Sequence, residues 1–185
     1  MAPLFTAVAH GCQAGRHQDA LDEVYYGWIH RGREAFSLKK LGAFSGDLAA
    51  LSGFFDSPWS RPVAGLSQDS KGFVLSEVGF DLRALGRLAE AVQPMKGALQ
   101  ERIAEEIWDN AATNAGNLSE LYLTIGDTGQ AVQFAEKSVD FAERSGDAFQ
   151  RMSQRTTLAD ALHQAGRLAE AEVLFDEAEE IQKKE

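Results

Sequence analysis

Cysteine occurs once in the 185 residues, at Cys12, so no disulfide can form within the chain. A lone thiol fits a reducing compartment, and a cytoplasmic location is expected. Proline occurs only four times, which leaves long stretches free to be helical. Extended apolar runs are missing as well. None approaches the ~18 residues of a membrane-spanning helix, so no membrane association is expected. No basic segment precedes the first apolar residues, so no secretory signal is expected either. Positive charge is the last shortage: Lys and Arg number 18 against 28 Asp and Glu, a net charge of −10. Residues 1–61 hold six basic and six acidic side chains, leaving 12 and 22 for residues 62–185. An acidic surface repels phosphate backbones, and nucleic acid is not an expected partner.

The residues that are present favour helix. The chain is 44% hydrophobic, and alanine and leucine dominate that set. The stretch Gly116 to Asp147 reads as two amphipathic helices folded back on each other at Gly126-Asp127. Leu118, Leu121, Tyr122 and Ile125 share one face of the first helix at the 3.6-residue period. Ala131, Phe134, Ala135, Ser138 and Val139 share one face of the second, with small residues where two helices must approach. Gly-Asp or Gly-Arg recurs every 40 residues, at Gly46-Asp47, Gly86-Arg87, Gly126-Asp127 and Gly166-Arg167. Residues 84–91, ALGRLAEA, are nearly repeated as QAGRLAEA at 164–171, and an earlier unit sits at Gly15-Arg16. A fixed period in this range is the mark of a helical solenoid, whose units bury their apolar faces against one another.

These residues resemble the tetratricopeptide repeat family. Helix A of its repeat is matched by Leu75, Val78, Gly79 and Leu82, by Ala115, Leu118, Ser119 and Tyr122, and by Arg155, Leu158, Ala159 and Leu162. The buried alanine that opens helix B is matched by Ala20, Ala91, Ala131 and Ala171. The closing proline of the short repeat is absent and the period is longer than usual. The chain is in this respect similar to the long, ~40-residue repeats of rapsyn-type and kinesin-light-chain-type scaffolds. It also resembles helical-repeat regions that follow nucleotide-switch cores in bacterial signalling proteins of the STAND type. The resemblance implies an all-α fold, a right-handed superhelical solenoid of about five antiparallel helix pairs.

In chain order, residues 1–56 are expected to form two degenerate helix pairs, residues 57–67 a proline-containing connecting loop, and residues 68–185 three repeats ending in a capping helix. The first pair is Pro3 to Gln13 and Gln18 to Arg31, with Leu4, Ala7, Val8 and Gly11 inward on one side. Ala20, Leu21, Val24, Tyr25 and Trp28 face inward on the other. The second pair turns at Gly46-Asp47. In the loop, Trp59 either covers the seam between units or anchors a partner. Pro94 falls inside an expected helix, where it costs about 3 kcal/mol unless the helix kinks or starts late. Asp147 should cap the next helix, with Gln150 three residues on. In the last helix Ala171, Leu174, Phe175, Ala178 and Ile181 form one stripe among many acidic residues. Either this is a solvated cap or the array continues beyond it, leaving Val173 partly exposed.

No catalytic set stands out. Walker and dinucleotide glycine patterns are missing, and the glycines are explained by repeat turns. Ser37 and Lys40 match Ser-x-x-Lys without the companion motifs of such hydrolases. His10, Cys12 and His17 are separated by a helix break at Gly15, and Asp160 with His163 reads as a surface pair. No enzyme activity, cofactor or metal is therefore expected.

The family's concave surface is built mainly from helix A. The resemblance carries it onto Arg33, Phe36 and Lys40, then Phe73, Phe80 and Arg83, then Asn117 and Glu120, then Asp160 and His163. The order runs from basic to acidic. It would suit an extended peptide or helix of opposite polarity, although an ordinary solvated groove would show the same residues. The expected role is a non-catalytic scaffold that binds a peptide or protein segment in this groove. The alternative is a sensor or regulatory repeat segment of a larger bacterial NTPase-type signalling protein. Self-association through the terminal helices is a further expectation.

Overall fold

A computed structural model describes residues 1–184; Glu185, the end of the expected capping segment, lies outside the described residues. Most of the chain is helical. Helix α1 (Ala2–Gln13) is followed by a single turn α2 (His17–Asp19), which runs directly into a π-helix, π1 (Ala20–His30). A 3₁₀ turn (Gly32–Glu34), two short helices α3 (Phe36–Lys39) and α4 (Phe44–Leu51) and a second 3₁₀ turn (Ser52–Phe54) come next. Strands β1 (Phe55–Ser57) and β2 (Arg61–Pro62) pair antiparallel. Six long helices complete the chain: α5 (Gln68–Ala84), α6 (Leu88–Ala104), α7 (Trp108–Ile125), α8 (Thr128–Ser145), α9 (Ala148–Gln164) and α10 (Leu168–Lys184).

The chain divides into two compact units, Met1–Ala98 and the remainder from Leu99, the division falling inside α6. The six long helices begin at 68, 88, 108, 128, 148 and 168, one every 20 residues. Four of the five turns between them repeat a single geometry; in the fifth, between α8 and α9, Asp147 N–H donates to the Ser145 hydroxyl instead. Arg87 N–H donates to the Leu82 carbonyl (2.8 Å), Ile107 to Arg102 (3.0 Å), Asp127 to Tyr122 (2.9 Å) and Arg167 to Leu162 (2.9 Å). This six-residue closure satisfies carbonyls left over at a helix end and needs a left-handed residue just before the donor. Glycine fills that place at Gly86, Gly126 and Gly166, whereas Glu106 fills it with φ 57°. Side-chain caps start α8 and α9. Asp127 Oδ1 accepts from Gln130 N (3.0 Å), and Asp147 Oδ1 accepts from Gln150 N (2.7 Å) as the capping pattern anticipates.

In the second unit, the expected face of α7 is inside: Leu118 and Leu121 are fully buried and Tyr122 nearly so, while Ile125 at the helix end is exposed. From α8, Ala131, Phe134, Ala135 and Ser138 are buried, and the Phe134 ring stacks on Tyr122 at 5.5 Å. On α10, Ala171 and Ala178 are buried, whereas Phe175 and Val173 are exposed.

The first unit departs from the expectation in two places. Gly46-Asp47 is not a turn; both residues lie within α4, and the chain reverses before it, where Gly42 has φ 60°. Asp47 is drawn inward because Tyr25 Oη donates to its Oδ2, and Gly46 leaves room for the Phe5 ring. The inward face of π1 is also different. Ala20, Leu21, Tyr25, Ile29 and His30 are buried, while Trp28 is 66% exposed. A π-helix closes i→i+5 hydrogen bonds and so carries more residues per turn than an α-helix. The buried stripe therefore advances by four or five residues, which moves Trp28 out and brings Ile29 and His30 in. In the proline-containing stretch, Trp59 is half-buried with its ring edge-on to Phe55 at 5.8 Å. Helix α6 starts at Leu88, without a late start, and Pro94 lies inside it.

Candidate binding groove

Helices α7 and α9 of the second unit line a groove of about 150 Å³. Thr113, Gly116, Asn117 and Glu120 come from α7, and Phe149, Gln150, Ser153, Gln154 and Thr157 from α9. Within it, Gln150 Nε2 donates to Thr113 Oγ1 (3.1 Å), and Gln154 Nε2 donates to Gln150 Oε1 (3.1 Å). Gln154 is 5% exposed, and its Oε1 lies so close to Gly116 that a Cβ there would collide with it. The glycine thus admits the amide to the groove floor, and any larger residue would push it out. Phe149 stands at the margin with 67% of its surface exposed. Of the lining side chains only Glu120 carries charge, so the wall is largely neutral and rich in amides and hydroxyls. Such groups recognise polar backbone through hydrogen bonds without demanding a particular charge.

The candidate residues named from the sequence fall as follows. Asn117 and Glu120 share this groove, and Asp160 and His163 are exposed on α9 outside its lining. In the first unit Arg33 and Lys40 are exposed. Phe36 lies under the Arg31 guanidinium, 3.7 Å from its ring centre. Phe73 packs edge-on among Tyr25, Tyr26 and His30, at 6.2, 5.6 and 5.5 Å, so its ring is committed to internal contacts. Phe80 is 49% exposed and 6.2 Å from Phe44, with Arg83 half-buried on the same helix. Phe149, Gln154 and Thr157 were not singled out from the sequence, and Gln150 was named only as the capping partner of Asp147. Phe149 could have been found as a large apolar residue that falls off the buried face of its helix. Gln154 gives no such signal, because its burial depends on the missing side chain at Gly116.

The titratable side chains of the first unit are arranged differently. Ser37 is fully buried beside the Asp47 carboxyl while Lys40 is exposed, so the Ser-x-x-Lys spacing does not bring the two together. Burial raises the Cys12 thiol to about 11, which keeps it protonated and unreactive near neutrality. No group of three or more His, Cys, Asp or Glu is placed to hold a metal among the described residues. None of the described helices is long and apolar enough to cross a membrane.

Comparison with known proteins identifies the helix pair at the end of the chain. A family model described as tetratricopeptide repeat matches residues 151–184. Among solved structures, the chain is similar to TPR-like repeats from a protein assigned as a kinesin light chain of Podosopora anserina. The identity is 16%, with 99% of this chain and 94% of the other covered and a TM-score of 0.67. It is also similar to MamA, at 16% identity, 95% coverage of both chains and a TM-score of 0.59. No curated protein matches the chain. These likenesses show the fold, which is all-α and TPR-like. Tetratricopeptide repeats as a class mediate protein–protein interaction.

Proposed function

We propose that the chain is a protein-interaction module without chemistry of its own, and that the α7–α9 groove takes an extended segment of a partner protein. The observation that carries this reading is the amide floor built from Gln150 and Gln154 over Gly116, with the exposed Phe149 at its margin. A solvated groove has no need of a buried glutamine seated against a glycine. An extended peptide presents one donor and one acceptor per residue, and the Gln150 amide keeps capacity of both kinds beyond its bonds to Thr113 and Gln154. Phe149 supplies apolar area for one side chain of that segment. The 20-residue spacing of helix starts supports assignment to the long-repeat variety, with residues 68–184 as its three full pairs and residues 1–56 as degenerate ones.

Affinity capture from the source cell with the whole chain, then binding measurements with the retained protein, tests this reading. Replacing Phe149 and Asn117 by Ala together should weaken binding at least tenfold, or about 1.4 kcal/mol, with the helical signal unchanged. Unaltered affinity in that double variant would move the site elsewhere.

A further inference from the structure

The interior of the first unit holds more acid than its surroundings can keep ionised. Asp47 on α4 and Asp81 on α5 are both fully buried. The Tyr25 hydroxyl donates to Asp47 Oδ2, and the Ser37 hydroxyl lies beside the same carboxyl. Among the described residues, none donates a hydrogen bond to Asp47 Oδ1 or to either oxygen of Asp81. The two carboxyls are nevertheless within hydrogen-bonding reach of each other. Two carboxylates are acceptors only and cannot bond, whereas a carboxylic acid and a carboxylate can. A proton between them would supply the absent donor and remove one of two adjacent buried charges.

Among the described residues no lysine or arginine forms an ion pair with Asp47 or Asp81. The one cation-forming group that acts on the pair, His30, reaches Asp47 but not Asp81. From π1 the facing groups are Tyr25 and His30, and from α5 Glu77, whose Oε2 is 3.2 Å from His30 Nε2. Burial would discharge the imidazole, and the Glu77 carboxylate works against it and favours the protonated form. His30 sits against Glu77 and also acts on Asp47, but not on Asp81. Helix α1, packed on α4, brings only His10, which is exposed, and Cys12, which is turned to Gly53. Lys71 and Arg83 on α5 form no pair with Asp81, and on α6 Glu90 bridges to Arg87. Lys96, also on α6, is half-buried and pairs with neither aspartate. The charged groups that act on Asp81 are Asp47 and Glu77, both negative.

We propose that Asp47 and Asp81 share one proton and act as a proton-operated latch that holds α4 against α5. With the proton in place the pair is a donor–acceptor bond between the two helices. Without it, two unscreened carboxylates face each other inside the unit, with Glu77 adding to the repulsion, and the helices part. Burial first, and then the charges of Asp47 and Glu77, raise Asp81 to about 9, which is consistent with a latch closed at neutral pH. The folded chain keeps this proton where the unfolded chain, with an ordinary Asp near 3.9, has lost it. The contribution is therefore fully present below about pH 3.9 and declines as pH rises, until it is gone above about 9.

The test compares the whole chain with Asp81→Asn, whose amide donates to Asp47 at any pH. In the parent the unfolding equilibrium constant should rise toward tenfold per pH unit between about pH 5 and pH 8, measured relative to Asp81→Asn. Hydrogen exchange of the α4 and α5 amides should quicken with pH in the parent and not in Asp81→Asn. A carboxyl-carbon NMR titration of Asp81 gives a reading that does not require a variant to fold. A midpoint well above the ordinary Asp range supports the latch. A midpoint near 3.9, or equal pH slopes in parent and Asp81→Asn, overturns it.

Discussion

Residues 1–56 and the helices from Trp108 to Gln164 build their interiors from different materials. In the later helices the inside is mainly Ala111, Ala112, Ala115, Leu118, Leu121 and their partners. Its polar members Ser138 and Gln154 bond within their own helices, Ser138 donating to the Ala135 carbonyl and Gln154 to Gln150. Such an interior makes few demands on direction, so straight α-helices of 17 or 18 residues satisfy it. In the first segment the inside includes Tyr25, His30, Ser37 and Asp47. Buried polar groups need partners at fixed distance and angle. The backbone that brings Tyr25 to Asp47 is a π-helix, two 3₁₀ turns and short α-helices, with Arg31 and Ala35 at positive φ. Regular repeats follow where burial is non-directional. Irregular ones follow where hydrogen bonds must be aimed.

The sharpest way to break this contrast is to remove a large side chain from the apolar interior. Leu118→Ala leaves a cavity among close-packed neighbours at a fully buried site. It should lower stability by about 2–5 kcal/mol, read as a lower urea midpoint. A loss below about 1 kcal/mol would mean that the α7 face collapses freely and is not tightly packed. A smaller effect is expected from Tyr25→Phe, which changes almost no volume. It removes the hydroxyl that donates to Asp47 and leaves that oxygen buried and unpaired. The expected loss is about 1–3 kcal/mol. A Tyr25→Phe protein as stable as its parent would show that Asp47 Oδ2 does not rely on the Tyr25 hydroxyl, and the contrast would lose its aimed hydrogen bond.

The sequence made one of these two interiors legible. Periodicity placed the reversal between α7 and α8 and most of the face that each buries, because leucine and alanine at 3.6-residue spacing report burial directly. The turns at Gly86, Gly126 and Gly166 were legible for the same reason, since glycine there answers a local backbone requirement. The first segment was not. Gly46-Asp47 carries the same two letters as Gly126-Asp127, yet one pair is inside a helix and the other ends one. What separates them is Tyr25, 22 residues from Asp47, and no local pattern contains it. Trp28 was placed inward on an α-helical period that π1 does not follow. The groove shows a similar split. Asn117 and Glu120 follow from repeat register, but Gln154 depends on a void at Gly116, 38 positions earlier.

The smallest effect has the opposite sign and tests how uniform the regular half is. Of the four turns closed by the same six-residue hydrogen bond, three place glycine at the left-handed position and one places Glu106 there, at φ 57°. A residue with a Cβ meets its following carbonyl in that conformation, at a cost of roughly 1–2 kcal/mol. Glycine avoids the clash but loses more freedom on folding, roughly 0.5–1 kcal/mol. The difference leaves Glu106→Gly more stable than the parent by up to about 1 kcal/mol. The reverse substitution, Gly126→Glu, should destabilise by a similar amount, because the turn it enters has the same closure. Both are read as shifts of the urea midpoint at constant slope. If Glu106→Gly is neutral or harmful, Glu106 contributes something that the other three turns lack. The 20-residue rhythm of helix starts would then conceal one turn that is held by its side chain.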